Sequence, residues 1–289
     1  MHSLISVIVS GVAVGCVYAL IALGFTLIYK ATEVVNFAQG ELLMIGAFVA
    51  YSFIVLWGWG YWAAIAATMI VVAVIGFLID AVILRRIIGQ PQFSVVMLTI
   101  GLGFVLRAVG TMIWGTSSLV LPTPFAGAIN VGGVVVSSTT LSMMVGAVFL
   151  CGAVGMFFGL TRVGVAMQAA SQNQLAAYYM GVPVKLLFSL VWAISGGIAA
   201  IAGVLIAPVT LVDSNLGFLG LKAFAAAVLG GFGSVPGALV GGVLIGLLEQ
   251  LSSWYVTADM KDIAAYVALL AVLFVRPQGL LGSVGRKKV

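Results

Sequence analysis

Residues 229–246 read LGGFGSVPGALVGGVLIG, a glycine-dense interruption inside an apolar run from 216 to 251. Glycine and proline break a helix here and leave backbone groups without intrahelical partners. At membrane depth bare backbone survives only where protein or a water-filled cavity surrounds it. The flanks give two candidate segments, 216–231 and 235–251, which either cross the bilayer twice or form a re-entrant hairpin. Breaks of this kind mark transport pathways, although a short turn between two ordinary spans carries the same glycine pattern.

Composition places the break in a membrane. Of 289 residues, 63% are apolar and 7% charged, with a mean hydropathy of +1.30, whereas a soluble domain carries about a quarter charged residues. The apolar runs fill nearly the whole chain, so 1–289 is expected to form one all-α polytopic membrane domain with no separate aqueous unit. Spans of about 20 residues are expected near 5–28, 40–57, 61–84, 93–114, 138–160, 186–207 and 262–275, which with the broken pair makes eight or nine segments.

Orientation follows from the basic residues of the short loops, which stay cytoplasmic. With the C-terminus inside and the N-terminus outside, the inner loops collect Lys30, Arg85, Arg86, Arg162, Lys185, Arg276, Arg286, Lys287 and Lys288, against Lys261 alone outside. The net charge of +5 is therefore a topology signal rather than a nucleic-acid footprint. Trp57, Trp59, Tyr61, Trp62, Trp114 and Trp254 form an aromatic belt on the predicted outer side. Residues 115–138 make the one sizeable outer loop, with a valine-rich stretch, 131–136, suited to a short hairpin. The pairs Gly11/Gly15, Gly155/Gly159, Gly237/Gly241 and Gly242/Gly246 have the small-xxx-small spacing of close helix packing. Cys16 and Cys151 lie in apolar runs and read as small hydrophobes, with neither a disulfide nor a metal site implied.

The chemistry that is missing narrows the function. No GxxxxGK[ST] phosphate loop occurs, and 231–236, GFGSVP, lacks its lysine. The single histidine is His2, and no Ser/His/Asp or Cys/His set can be assembled. No catalytic residues and no cofactor are expected.

Three polar features remain. The inner loop 161–185, TRVGVAMQAASQNQLAAYYMGVPVK, contains a helix-forming stretch, 165–180, that ends in Gly181 with Pro183 beyond, the stop signal of a helix C-terminus. Its polar centre, Ala169, Ala170, Ser171, Gln172, Asn173 and Gln174, carries no charge. Solvated surface helices usually carry Lys and Glu, so this one is suited to docking in a partner's groove, the alternative being a helix resting on lipid. Residues 30–41, KATEVVNFAQGE, put Asn36, Gln39 and Glu41 where the second span begins. This polar break and the glycines Gly230, Gly231 and Gly233 resemble the paired interruptions of an inverted-repeat transporter and are the candidate translocation residues. Arg107 lies well inside its span and needs a partner, since an unpaired cation there costs at least about 2.5 kcal/mol. Lys222 and Glu249 are its expected neighbours in a structural ion network, the alternative being a substrate site, and Asp80 is expected to pair locally near Arg86.

Four stretches together, YALIALGFTLIYKATEVVNFAQGE (18–41), TRVGVAMQAASQNQLAAYYMGV (161–182), GFLGLKAFAAAVLGGFGSVPGALVGG (217–242) and RPQGLLG (276–282), closely resemble the LivH-type permeases of branched-chain amino acid ABC importers. The likeness covers essentially the whole chain in order. It implies a permease of the bacterial inner membrane working with a second, homologous permease subunit, two cytoplasmic ATPases and a periplasmic substrate-binding protein, by alternating access. It also implies that 165–180 is the coupling helix. Relatives with similar motifs move urea, short amides or aromatic amino acids. An ion-coupled secondary transporter is the competing class. It would typically need an ionisable group near the midplane, and Glu41, Asp80 and Glu249 are all expected toward span ends.

Overall fold

The computed structural model describes residues 2–87, 90–125, 127–131, 134–257 and 260–282. Eleven helices are present among them. In chain order they are α1 (His2–Thr32), α2 (Gln39–Tyr51), α3 (Tyr61–Leu78), α4 (Gln92–Trp114), α5 (Ser138–Leu160), α6 (Arg162–Gln172), α7 (Gln174–Tyr179), α8 (Val184–Thr210), α9 (Leu219–Gly230), α10 (Val235–Tyr255) and α11 (Met260–Val275). α2 continues through a wide turn to Leu56, and α3 continues to Arg86. Seven of these helices are long and apolar enough to cross a membrane: those at Leu4–Thr32, Gln39–Leu56, Tyr61–Arg86, Gln92–Trp114, Ser138–Leu160, Val184–Thr210 and Val235–Tyr255.

The expected segment 216–231 is not a full span. It is a single turn, Leu216–Phe218, followed by α9 of 12 residues. At about 1.5 Å per residue α9 covers some 18 Å, well short of a hydrocarbon core of about 30 Å. α11, with 16 residues, is also shorter than the other spans.

The bundle is centred on α1 and α8. α1 runs along α10, and α8 packs against α2 and α3. Small residues set the α1–α10 spacing: a Cβ on Gly15 would meet the backbone of Val243, and one on Gly246 would meet that of Gly15. α10 meets α9 in the same way, Gly237 against Gly230 and Gly241 against Ala226. Three of the four small-residue pairs thus bring backbones together. The fourth does not, since a Cβ on Gly155 or Gly159 of α5 would meet nothing within 4 Å.

Lys30 and Arg85 in the last turns of their spans, Arg162 and Arg276 just beyond α5 and α11, and Lys185 in the first turn of α8 gather at one end of the bundle, here the basic end. Trp57, Trp59 and Trp62 lie exposed at the other. There the loop after α4 forms the expected hairpin, β1 (Ala128–Val131) with β2 (Val134–Ser137), in antiparallel register Ala128↔Ser137. Leu119 of the same loop exchanges backbone hydrogen bonds of 2.9 Å in both directions with Val212, just beyond α8.

Candidate functional site

The polar break after α1 does not stay at the basic end. Gln39 Nε2 donates to the carbonyl oxygen of Ser195 at 3.3 Å, and the Ser195 hydroxyl lies 3.0 Å from Gln39 Oε1 and 3.1 Å from the carbonyl oxygen of Gly24. Gly24 is eight residues from the end of α1 and Ser195 eleven from the start of α8. The α2 N-terminus therefore sits about 12–16 Å inside the bundle. Residues 33–38 climb back between the helices, and their backbone is satisfied as bare backbone at this depth must be. Asn36 Oδ1 accepts from Ala38 N at 3.0 Å, Asn36 Nδ2 donates to Gln39 Oε1 at 3.2 Å, and Phe37 N donates to Thr99 Oγ1 at 3.3 Å. Asn36, Gln39, Thr99 and Ser195 are fully buried.

α9 starts at the same level. A Cβ on Gly40 would strike Gly217 and one on Gly220 would strike Gly40, so only glycines allow the two helix beginnings to meet. α2 runs from this junction toward the tryptophan end. α9 runs the opposite way, ending beside Tyr29, whose ring packs edge-on to Phe232 at 4.5 Å between centroids. Two partial helices thus meet with their N-termini together in the middle of the bundle.

At this junction Glu41 pairs with Arg107. Arg107 Nη2 is 2.5 Å from Glu41 Oε1 and Nε is 3.4 Å from Oε2, and the guanidinium carbon lies 4.1 Å above the centre of the Phe218 ring. Beside the pair is an open cavity of about 310 Å³, walled by Phe25, Phe37, Phe104, Phe218 and Leu221.

These positions differ from the sequence expectation in three respects. Arg107 is not part of one network with Lys222 and Glu249, because α2 begins deep in the bundle and brings Glu41 to it instead. Lys222 Nζ pairs with Glu249 Oε1 at 2.5 Å and with Asp262 Oδ1 at 2.6 Å, and Tyr18 donates to Glu249 Oε2 at 2.7 Å, tying together α1, α9, α10 and α11. Glu41 was expected toward a span end and lies at the centre. Gly230, Gly231 and Gly233 are not at the central break but at the turn between α9 and α10 near the basic end. Gly231 and Gly233 take φ of 108° and 91° there, and the carbonyls of Leu229 and Gly230 accept from Leu280 N and Leu281 N at 2.9 Å each. Asp80 accepts from Ser189 Oγ at 2.6 Å, and Arg85 donates to the same hydroxyl at 2.7 Å, so Asp80 reaches Arg85 through α8.

The loop segment 165–180 is not one helix. Thr161 caps α6, accepting from Gly164 N at 3.0 Å. Asn173 breaks the run and caps α7, accepting from Ala176 N at 2.9 Å. Asn is a strong helix-start residue for this reason. Ala169, Gln172, Asn173 and Gln174 are exposed and Ser171 is half-buried, but Ala170 is buried against the bundle. The exposed apolar side chains of the segment, Leu175, Tyr178, Tyr179 and Met180, had no sequence signal beyond their type. Ser195, Thr99, Gly24 and Tyr18 were likewise missed, since a lone Ser, Thr, Gly or Tyr in an apolar helix shows no partner until the fold supplies one.

Seven apolar spans around a buried break with opposed partial helices define a multi-pass membrane protein of the transport class. The chain belongs to the family described as branched-chain amino acid transport system / permease component, whose model matches residues 7–273. It is 32% identical to the high-affinity branched-chain amino acid transport system permease protein LivH of Escherichia coli (strain K12), over 97% of this chain and 96% of that protein. It is also 32% identical to the corresponding permease protein BraD of Pseudomonas aeruginosa, over 98% and 97%. Its fold is similar to that of PsaBC from Streptococcus pneumoniae in complex with Fab, with a TM-score of 0.50 and 16% identity over 96% of this chain and 93% of that one.

Proposed function

We propose that this chain is the membrane subunit of an ATP-driven importer for branched-chain or other hydrophobic amino acids, and that 1–289 works as one permease domain. The near full-length identity to LivH and BraD carries the reading. The N-terminus lies outside and the basic end faces the cytoplasm of a bacterial inner membrane, in keeping with the charge asymmetry. ATP hydrolysis belongs to two separate cytoplasmic ATPase subunits. A periplasmic binding protein delivers the amino acid, and a second homologous permease completes the pathway.

The mechanism is alternating access. Closure of the ATPases pushes on α6 and α7, and α6 packs on α1, α5 and α8. α1 and α8 carry Gly24 and Ser195, which hold the Gln39 hinge point. Motion at the basic end therefore reaches the central junction through rigid helices rather than loops. The ion-coupled alternative gains one observation, the central position of Glu41, but that carboxylate is ion-paired with Arg107 at rest.

The test is uptake of labelled leucine into proteoliposomes holding the complete complex with its binding protein outside. Uptake is expected only with ATP within reach of the ATPases. Uptake by this chain alone on an imposed ion gradient would favour the secondary transporter. Uptake of urea or short amides in preference to leucine would move the substrate class.

A further inference from the structure

The Glu41–Arg107 pair is built differently from the other buried ion cluster. Lys222 and Glu249 are held from several sides: Glu249 is fully buried and bound by both Lys222 and Tyr18, and Lys222, 13% exposed, is bound by Asp262 as well. Glu41 and Arg107 instead border the open cavity, with 10% and 22% of their side chains exposed. A guanidinium has five N–H donors, and among the described residues the only hydrogen bonds of Arg107 run to Glu41. One of those is long. The remaining Arg107 donors are open to a further ligand, and the second carboxylate oxygen, Oε2, is held only by the long bond from Nε. Around them the cavity is aromatic. Phe25 and Phe37 both contact Phe224, which contacts Phe232, so rings continue from the cavity to the turn at the basic end.

Taking the amino acid permease reading above as premise, we infer that Glu41 and Arg107 form a binding station for the zwitterion of an α-amino acid within the permease itself. The substrate carboxylate takes Arg107, its ammonium group takes Glu41, and its apolar side chain lies against Phe25, Phe37 and Phe218. Opening one ion pair to form two leaves the net charge of the junction unchanged. It also replaces each group's charged hydrogen bond, so neither is left buried and alone, the costly outcome. A cavity of about 310 Å³ falls at the lower end of ordinary ligand pockets, about 300–1,000 Å³, and suits a small apolar amino acid.

The experiment uses Leu221→Cys at the cavity wall, in a Cys16→Ala and Cys151→Ala background and in the complete complex. The rate of labelling by a thiol reagent is measured with L-leucine, with isoamylamine, which lacks the carboxylate, and with 4-methylpentanoate, which lacks the ammonium group. Leucine is expected to slow labelling several-fold, and each analogue to protect roughly tenfold or more less effectively by concentration, the effect of one lost charged hydrogen bond. Glu41→Met combined with Arg107→Met should abolish protection while the complex still co-purifies, since an apolar pair is tolerated where a lone charge is not. Should that double variant fail to assemble, the comparison of analogues on the native pair decides. Equal protection by leucine and either analogue would overturn the inference, as would no protection in a preparation that transports leucine. A preparation that transports no leucine and shows no protection overturns the amino acid reading as well, so the two failures are distinguishable.

Discussion

Gln39 and Ser195 exchange two hydrogen bonds, Gln39 Nε2 to the Ser195 carbonyl at 3.3 Å and Ser195 Oγ to Gln39 Oε1 at 3.0 Å. They anchor the first turn of α2 to the middle of α8, where both residues are fully buried. Ser195→Ala should lower stability by about 0.5–1.5 kcal/mol, because it removes one donor to Gln39 Oε1 deep in the bundle while Asn36 Nδ2 still serves that oxygen. A cycle with Gln39→Leu should show coupling of about 0.5–3 kcal/mol. Thermal unfolding of the purified protein reads both, and strictly additive losses would mean the two side chains do not act together.

Lys222 is the ion-pair partner of the fully buried Glu249. Lys222→Met should destabilise the chain by about 3–5 kcal/mol, whereas Lys222→Met with Glu249→Met should recover most of the loss. Recovery of monodisperse protein by size-exclusion chromatography, with melting temperature, is the measurement. A double variant as poor as the single would show that the pair stabilises beyond charge neutralisation.

Glycine spacing alone does not say which glycines matter. Gly246→Leu forces α10 away from α1, where Gly15 and Gly11 offer only backbone, and should cost about 1–3 kcal/mol or more. Gly155→Leu has the same spacing pattern but open space around it and should leave the melting temperature of the isolated chain unchanged. Equal losses in both would contradict the packing described.

The two alanines of the proposed coupling segment should separate. Ala169 is exposed and Ala170 buried at 1%. Ala169→Asp is expected to reduce ATPase co-purification and transport while the chain inserts and melts normally, since its charge falls in the docking contact. Ala170→Asp buries a charge inside the chain's own bundle and should lower its melting temperature with or without the ATPases. Normal ATPase recovery and transport for Ala169→Asp would place the docking surface elsewhere.

For orientation, Ser118→Cys lies beside Leu119 at the tryptophan end and Gln172→Cys at the basic end, both exposed. In a background without Cys16 and Cys151, an impermeant reagent should label the first only from outside and the second only from the cytoplasm. Labelling of both from one side would refute the charge-based topology.

Much of the bundle was legible because its signals are local. Apolar run length placed the seven span-length helices to within a few residues, though not the short α9, the lysines and arginines marked one end, and Gly181 with Pro183 marked where the inner-loop segment stops, whereas the helix start at Asn173 inside that segment was not read. The valine-rich hairpin after α4 was readable for the same reason. Depth was not. Residues 30–41 read as a polar break between two spans, but nothing within them records that the segment climbs between α1 and α8 to meet Gly24 and Ser195.

Membership of a polytopic transport family was therefore determined by the sequence itself, through composition and long motifs. Which charge meets which was decided only by the tertiary structure. Arg107 is 66 residues from Glu41, and Lys222 is 27 from Glu249 and 40 from Asp262. A charge in a membrane must find a partner, so the sequence requires pairing. The choice among partners depends on where each helix begins along the bundle axis, and that is set by Gly40 against Gly217 and Gly220, a contact between backbones with no side chain to announce it.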